Sequence, residues 1–240
     1  MDVKGNSEEA GGTQFDRSIL VAIDGSIPSQ SAATVAAMIA KSENLPIQGL
    51  YVVSEQYVLD EFTRYSAELN ITQQPNSREE LVNWFKQQGE SALNWLEKLC
   101  LFMNIPFKGE IVFGNITEEI IRYAAGRDFL ALGQQGNLHS DQPEQLGEHF
   151  QQIVHRAHVS VIAGKHGLQS INKVLLAYSG STGAERALEL TVRIQKDLET
   201  EVSVVAINEN DNADWEKMTR EQLAQKGLVH YKLITRSGQP

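Results

Sequence analysis

With 240 residues, 41% of them hydrophobic and 22% charged, the chain has the composition of a soluble globular protein and can bury one large core or two smaller ones. Its 21 basic against 31 acidic residues give a formal charge of −10, the reverse of the basic footprint that nucleic acid or an anionic membrane surface requires, so neither is expected as a partner. The lone cysteine, Cys100 in the apolar stretch LEKLCLFM, excludes an intramolecular disulfide and reads as a buried structural thiol.

Residues 1–16 are polar and glycine-containing, without the apolar core of a secretory signal, and are expected to form a flexible tail. No run is long and apolar enough for a membrane span, which makes the cytoplasm the expected location. The stretch SILVAIDGS, Ser18–Ser26, has a continuous apolar run before Asp-Gly-Ser, the pattern of a parallel strand covered on both faces. A helix follows in SQSAATVAAMIAKSE, then a second strand in IQGLYVVSE. Residues 56–77 are polar, contain Pro75 and read as a long excursion. Ser77 and Glu80 have capping-box spacing at the head of a long helix reaching Met103. In it Leu81, Trp84, Phe85, Gln88, Ala92, Trp95, Leu96 and Leu99 fall on one face, so both tryptophans are assigned to the core. Gly89 interrupts that helix at about 1 kcal/mol relative to alanine.

Next come a strand in FKGEIVFGN, a helix in ITEEIIRYAAG and a strand in DFLALG. After a glycine-containing loop there are a helix in GEHFQQIVHRA and a strand in VSVIAG. Strands alternating with crossover helices predict an α/β fold, a doubly wound, mostly parallel five-stranded sheet. The pattern then restarts. NKVLLAYSGSTGAERALEL, Asn172–Leu190, lies over RSILVAIDGSIPSQSAATV, Arg17–Val35, at a constant offset of 155, and EVSVVAIN lies over PIQGLYVV at the same offset. YKLITRSGQP resembles KGEIVFGNI after a shorter excursion. The reading is a complete domain at 17–165 and a partial second repeat at 171–240, in which the strand at Val174–Tyr178 has an open edge.

In a doubly wound sheet, ligands bind at the carboxyl ends of the strands where strand order reverses. Asp24 ends the first strand, and Gly133 and Gly136 follow the fourth, so these residues are expected to share a cleft. Glycines let backbone N–H groups approach phosphate, and the helix opening near Gly147 adds a partial positive charge.

This combination resembles the universal stress protein family. The matching segments are the strand and Asp-Gly-Ser start at Asp24, FGN at Phe113–Asn115, and LGQQGNLHSDQPEQLGEHFQQIVHRAHVSVIAG. They cover residues 17–165 nearly end to end and 172–240 in part. The ATP-binding branch of that family carries Gly-x2-Gly-x9-Gly-(Ser/Thr). By position the resemblance implies that Gly133, Gly136 and Gly147 face phosphates, that Asp24 meets the adenosine end, and that the Val52 backbone meets adenine. Two departures stand out. Ten residues, Asn137–Leu146, separate the second and third glycines, and Glu148 occupies the place of the hydroxyl. A hydroxyl donates to phosphate; a carboxylate only accepts and adds negative charge. In the second copy Ser179 replaces the aspartate and the glycine loop is absent, so no nucleotide is expected there.

The expected function is a non-enzymatic stress-response or regulatory module acting through protein contacts, with a weak or vestigial nucleotide cleft in the first repeat. The alternative is a sensor that binds ATP or AMP, with magnesium, in that repeat. A slow ATPase is a third reading, for which no general base, metal cluster or activated nucleophile stands out. The residues also fit an empty cleft: Gly133 and Gly136 as turn glycines, Asp24 as a helix cap. His139, His149, His155 and His158 lack a completing ligand set and read as solvated or helix-end side chains, while Ser26, Ser29 and Ser31 have no identifiable triad partners. Members of the family commonly dimerise through the fifth-strand edge, and in tandem chains the two copies pair there. Because the second copy has no fifth strand, the edge at Val161 is expected to pair with another molecule as a homodimer.

Overall fold

The apolar run after Ser18 becomes β1 (Ile19–Ala22), the middle strand of a parallel sheet. The computed structural model describes residues 17–54, 78–135, 146–168, 170–208 and 215–237, and for a few of these, Glu148 among them, the backbone alone. The other strands of this sheet are β2 (Ile47–Val53), β3 (Phe107–Phe113), β4 (Phe129–Gly133) and β5 (Ser160–Gly164), in the order β3-β2-β1-β4-β5. Ile19 pairs with Ile47 on one side and Phe129 on the other, all in parallel register. Successive β1 side chains point to opposite faces, and both faces are covered. Ile19 and Val21 pack beneath α1 (Ile27–Glu43) and α2 (Arg78–Met103). Leu20 and Ala22 pack beneath α3 (Ile116–Ala124) and α4 (Glu148–Arg156). Burial on both sides is why this strand reads as an unbroken apolar run rather than an alternating one.

Helix α1 lies against the sheet through small side chains, with Ala32, Ala33, Ala36, Ala37 and Ala40 all buried. Along α2, Ala92, Leu93 and Leu96 are buried, while Trp95 and Leu99 pack at the margin of the same core. Trp84 departs from the core assignment: it is half exposed, edge-on to Phe85, because the first turns of α2 overhang the carboxyl ends of the strands. Gly89 has a packing role that periodicity does not reveal. A Cβ there would lie 2.7 Å from the Tyr51 ring and 3.1 Å from Ile111 Cδ1. Cys100 is buried, and burial, aided by Glu97, raises its thiol pKa to about 12. Ser77, the expected cap of α2, lies outside the described residues.

A second, smaller parallel sheet fits a truncated second copy. It has the order β6 (Lys173–Tyr178), β7 (Glu201–Asn208), β8 (Tyr231–Ser237), with helices α5 (Thr182–Leu198) and α6 (Trp215–Gln225). Local features recur at the offset of 155: Ser26 and Ser181 both cap a helix with their hydroxyls. Gly25 and Gly180 both have positive φ, and Asn44 and Glu199 end α1 and α5 in the left-handed conformation. Among the described residues no strand lies outside β6, and Leu175, the counterpart of fully buried Leu20, is 68% exposed.

The two sheets' first helices, α1 and α5, touch. The Ser42 hydroxyl donates to the Asp197 carboxylate, Arg193 pairs with Glu43, and Ile194 is buried in the first-copy core. Ser42 and Asp197 are 155 positions apart, so this hydrogen bond joins positions that the sequence offset aligns. Among the described residues no helix is long and apolar enough to cross a membrane.

Candidate functional site

Strand order reverses between β1 and β4, so the cleft opens at their carboxyl ends, where α1 begins. Gly25, with φ of 82°, turns the chain there. Asp24 accepts a hydrogen bond from the Ser26 N–H at 2.9 Å, and the Ser26 hydroxyl accepts from the Ser29 N–H at 3.2 Å. Ser26 is therefore the cap of α1, and Asp24 closes the turn one step earlier; the expectation that Asp24 itself caps the helix is corrected in this way. The Ser26 hydroxyl also donates to the Gln135 carbonyl at 3.4 Å, tying the β1 turn to the segment after β4.

Gly133 ends β4 with an ordinary φ, so it is not a turn glycine. Its missing side chain admits the start of α1: a Cβ would lie 2.7 Å from Ser29 N and 3.0 Å from the Pro28 carbonyl carbon. Gly164, its neighbour at the end of β5, is tighter still. Gly147 is the buried N-cap of α4, with extended backbone and no side-chain cap. Its N–H donates to the Gln134 carbonyl at 2.9 Å, while the Gln134 N–H donates to the Gly164 carbonyl at 2.9 Å. These bonds bring the end of β4 and the beginning of α4 together and leave neither amide without a partner. Gly136 and the Glu148 side chain lie outside the described residues; the Glu148 backbone opens α4.

Val52 stands near the end of β2. The Val53 carbonyl accepts from the Gly114 N–H on the β3 side, and the Leu50 carbonyl accepts from the Ile23 N–H on the β1 side. Alternation along the strand turns the Val52 amide and carbonyl toward β1, beyond the last paired residue, Leu50. Asp24, Val52, Gly133 and Gly147 thus gather at one end of the sheet. Sequence reasoning missed Tyr51. Burial, with the Asp24 charge adding to it, raises its hydroxyl pKa to about 12, so a neutral phenol sits beside the carboxylate. No local motif marks Tyr51; its signal is the glycine that faces it across the core at Gly89.

His149 is exposed in the first turn of α4, where its Nδ1 also meets the Thr117 hydroxyl of α3 at 3.0 Å. Among the described residues no group of three His, Cys, Asp or Glu side chains could hold a metal ion.

The model of the Universal stress protein family matches residues 17–164. A universal stress protein from Archaeoglobus fulgidus DSM 4304 superposes with a TM-score of 0.67 at 20% identity, over 95% of this chain and 80% of that one, which shows a shared fold. Universal stress protein UspA from Lactobacillus plantarum gives a TM-score of 0.47 at 23% identity, over 62% of this chain and 97% of that one. The universal stress protein from Archaeoglobus fulgidus in complex with dAMP gives a TM-score of 0.42 at 13% identity, over 62% and 98%. No curated protein matches the chain.

Proposed function

The chain belongs to the universal stress protein family, and from that premise we propose a non-enzymatic stress-response or regulatory module that acts through protein contacts and keeps a weak or vestigial nucleotide cleft. In this reading residues 17–165 form the complete domain and 171–240 a partial second repeat. The observation that carries it is the internal use of cleft amides: Ser26 N–H on Asp24, Gln134 N–H on Gly164, Gly147 N–H on Gln134. Each of those donors is withdrawn from a phosphate, and Glu148 stands where a hydroxyl would supply one more. Titration of the whole chain with ATP and magnesium by calorimetry is expected to give affinity weaker than micromolar; micromolar binding overturns the proposal.

A second reading is a sensor for ATP or AMP in the first repeat. It is favoured by the α4 N-terminus, which has no side-chain cap and offers the positive end of its dipole, and by the exposed Asp24. AMP, with one phosphate, would suffer less repulsion from Glu148 than ATP, so AMP binding lost in Asp24→Ala supports this reading over the first. In both readings the outer edge of β5, at Val161, takes a second copy of the chain. Light scattering is expected to report a homodimer, and a monomer at all concentrations counts against that contact.

A further inference from the structure

One face of the second sheet is bare, yet its side chains are those of a covered face. Val174, Leu176 and Tyr178 point from β6 into the core beneath α5 and α6. Alternation puts Leu175 and Ala177 on the opposite face, with Val205 of β7 and Ile234 of β8 in register beside Ala177. At the offset of 155, Leu175, Ala177 and Val205 correspond to Leu20, Ala22 and Leu50. In the first repeat those three are buried under Ile120 and Ala124 of α3 and Ile153 of α4. Leucine and alanine are thus kept at both β6 positions, although Leu175 is 68% exposed and Ala177 is exposed as well. A strand face turned to water is ordinarily polar.

The backbone edge is open at the same place. Ile19 and Ile23 donate to the Pro46 and Leu50 carbonyls, so Leu20 and Ala22 turn their amides and carbonyls toward β4. In the second sheet Glu201 donates to the Asn172 carbonyl. Alternation therefore turns the amides and carbonyls of Lys173, Leu175 and Ala177 away from β7, to an edge where no described strand lies. The flank of α5 is open above it. In the first repeat Pro28 presses on Gly133 and Gly164 of β4 and β5, whereas nothing lies within 4 Å of a Cβ at Gly183, its counterpart. Free edges are ordinarily guarded by central charges, prolines or bulges. β6 has no proline, and its one charged side chain, Lys173, lies at its start and pairs with Glu201 at 3.6 Å.

We propose that this edge and face together form a docking surface for a helix–strand unit of a second polypeptide. Its strand, apolar on both faces, adds parallel to β6 and bonds to the backbone of Leu175 and Ala177. Its helix, amphipathic and immediately before that strand, lies over Leu175, Ala177 and Val205. The first repeat selects this occupant: the same leucine and alanine there take β4 at their edge and α3 on their face. Parallel addition is the direction β4 uses, and it brings the preceding helix back over the sheet. The inference rests on the reading of the chain as a module that acts through protein contacts. The ATP titration and the β5 edge test that reading without involving β6.

The probe is a synthetic peptide of residues 115–133 of this chain, which carries α3 and β4. It is added to the full chain while amide hydrogen exchange is followed by NMR. In the chain alone the Leu175 and Ala177 amides are expected to exchange fast, because they face the open edge. Peptide is expected to slow both at least about tenfold, saturating below millimolar concentration. Leu175→Lys, at a position exposed enough to tolerate it, puts a charge beneath the incoming helix and is expected to abolish the effect; a scrambled peptide is expected to have none. No slowing at millimolar peptide overturns the proposal, as does equal slowing in Leu175→Lys or with the scrambled peptide. Slow exchange of both amides without peptide also overturns it, since the edge is then already covered by the chain itself or by a second copy.

Discussion

Alanine at Gly164 is expected to destabilise the first repeat by about 3–5 kcal/mol, enough to unfold a marginally stable domain. A Cβ at this position would lie 2.1 Å from the Pro28 carbonyl oxygen and 2.4 Å from the Ala32 N. Both are backbone atoms of α1, so no flexible side chain can swing aside. The helix cannot simply retreat, because Ser26 caps it and its alanine face is buried in the core. Ordinary overpacking costs about 1–3 kcal/mol; a clash with fixed backbone belongs at or above the top of that range. Gly164 lies outside the positive-φ set, where alanine in open space would usually stabilise by about 0.4–1 kcal/mol. Gly183→Ala supplies that contrast, since nothing lies within 4 Å of its Cβ position on α5. Urea unfolding of the two variants checks the pair. A Gly164→Ala protein within about 1 kcal/mol of the parent would show that α1 floats on the sheet rather than being seated on it.

Glu148→Ser is expected to strengthen ATP binding by roughly tenfold to a thousandfold. A carboxylate about 4 Å from a phosphate repels it by about 1 kcal/mol in water-like surroundings and about 4 kcal/mol at an effective dielectric of 20. Serine removes that charge and supplies a hydroxyl donor at the head of α4, whose N-cap glycine offers no side chain of its own. The gain should shrink for AMP and be larger at low salt, because exposed charges are screened over about 8–10 Å at physiological ionic strength. An unchanged ATP isotherm would show that the cleft geometry, rather than this charge, keeps phosphates out. The amides already bonded at Gln134 and Gly147 would then be the cause.

Most of the fold was legible because its signals are local and repeated. The unbroken run at Ile19–Ala22 announces a strand buried on both faces, and the Asp-Gly-Ser and Ser-Gly-Ser turns mark where α1 and α5 begin. The restart at Asn172 anticipates the second sheet and its open edge. The site was less legible because glycine is ambiguous in sequence. Gly133 has the spacing of a phosphate glycine, yet its surroundings show a contact glycine that admits α1. The same blindness hid the reason for Gly89, whose partner Tyr51 is distant in sequence. Trp84 was misassigned because helical periodicity reports a face and cannot tell where along α2 the core stops.

Helix α1 is touched at both ends. Its first turn sits against Gly133 and Gly164 with no clearance, and its last residues, Ser42 and Glu43, hold Asp197 and Arg193 of the neighbouring copy. A 17-residue helix is a rod about 25 Å long, stiff compared with the loops around it. The same rod is therefore seated without clearance at the mouth of the cleft and held by polar contacts at the seam, so the two places share one rigid support.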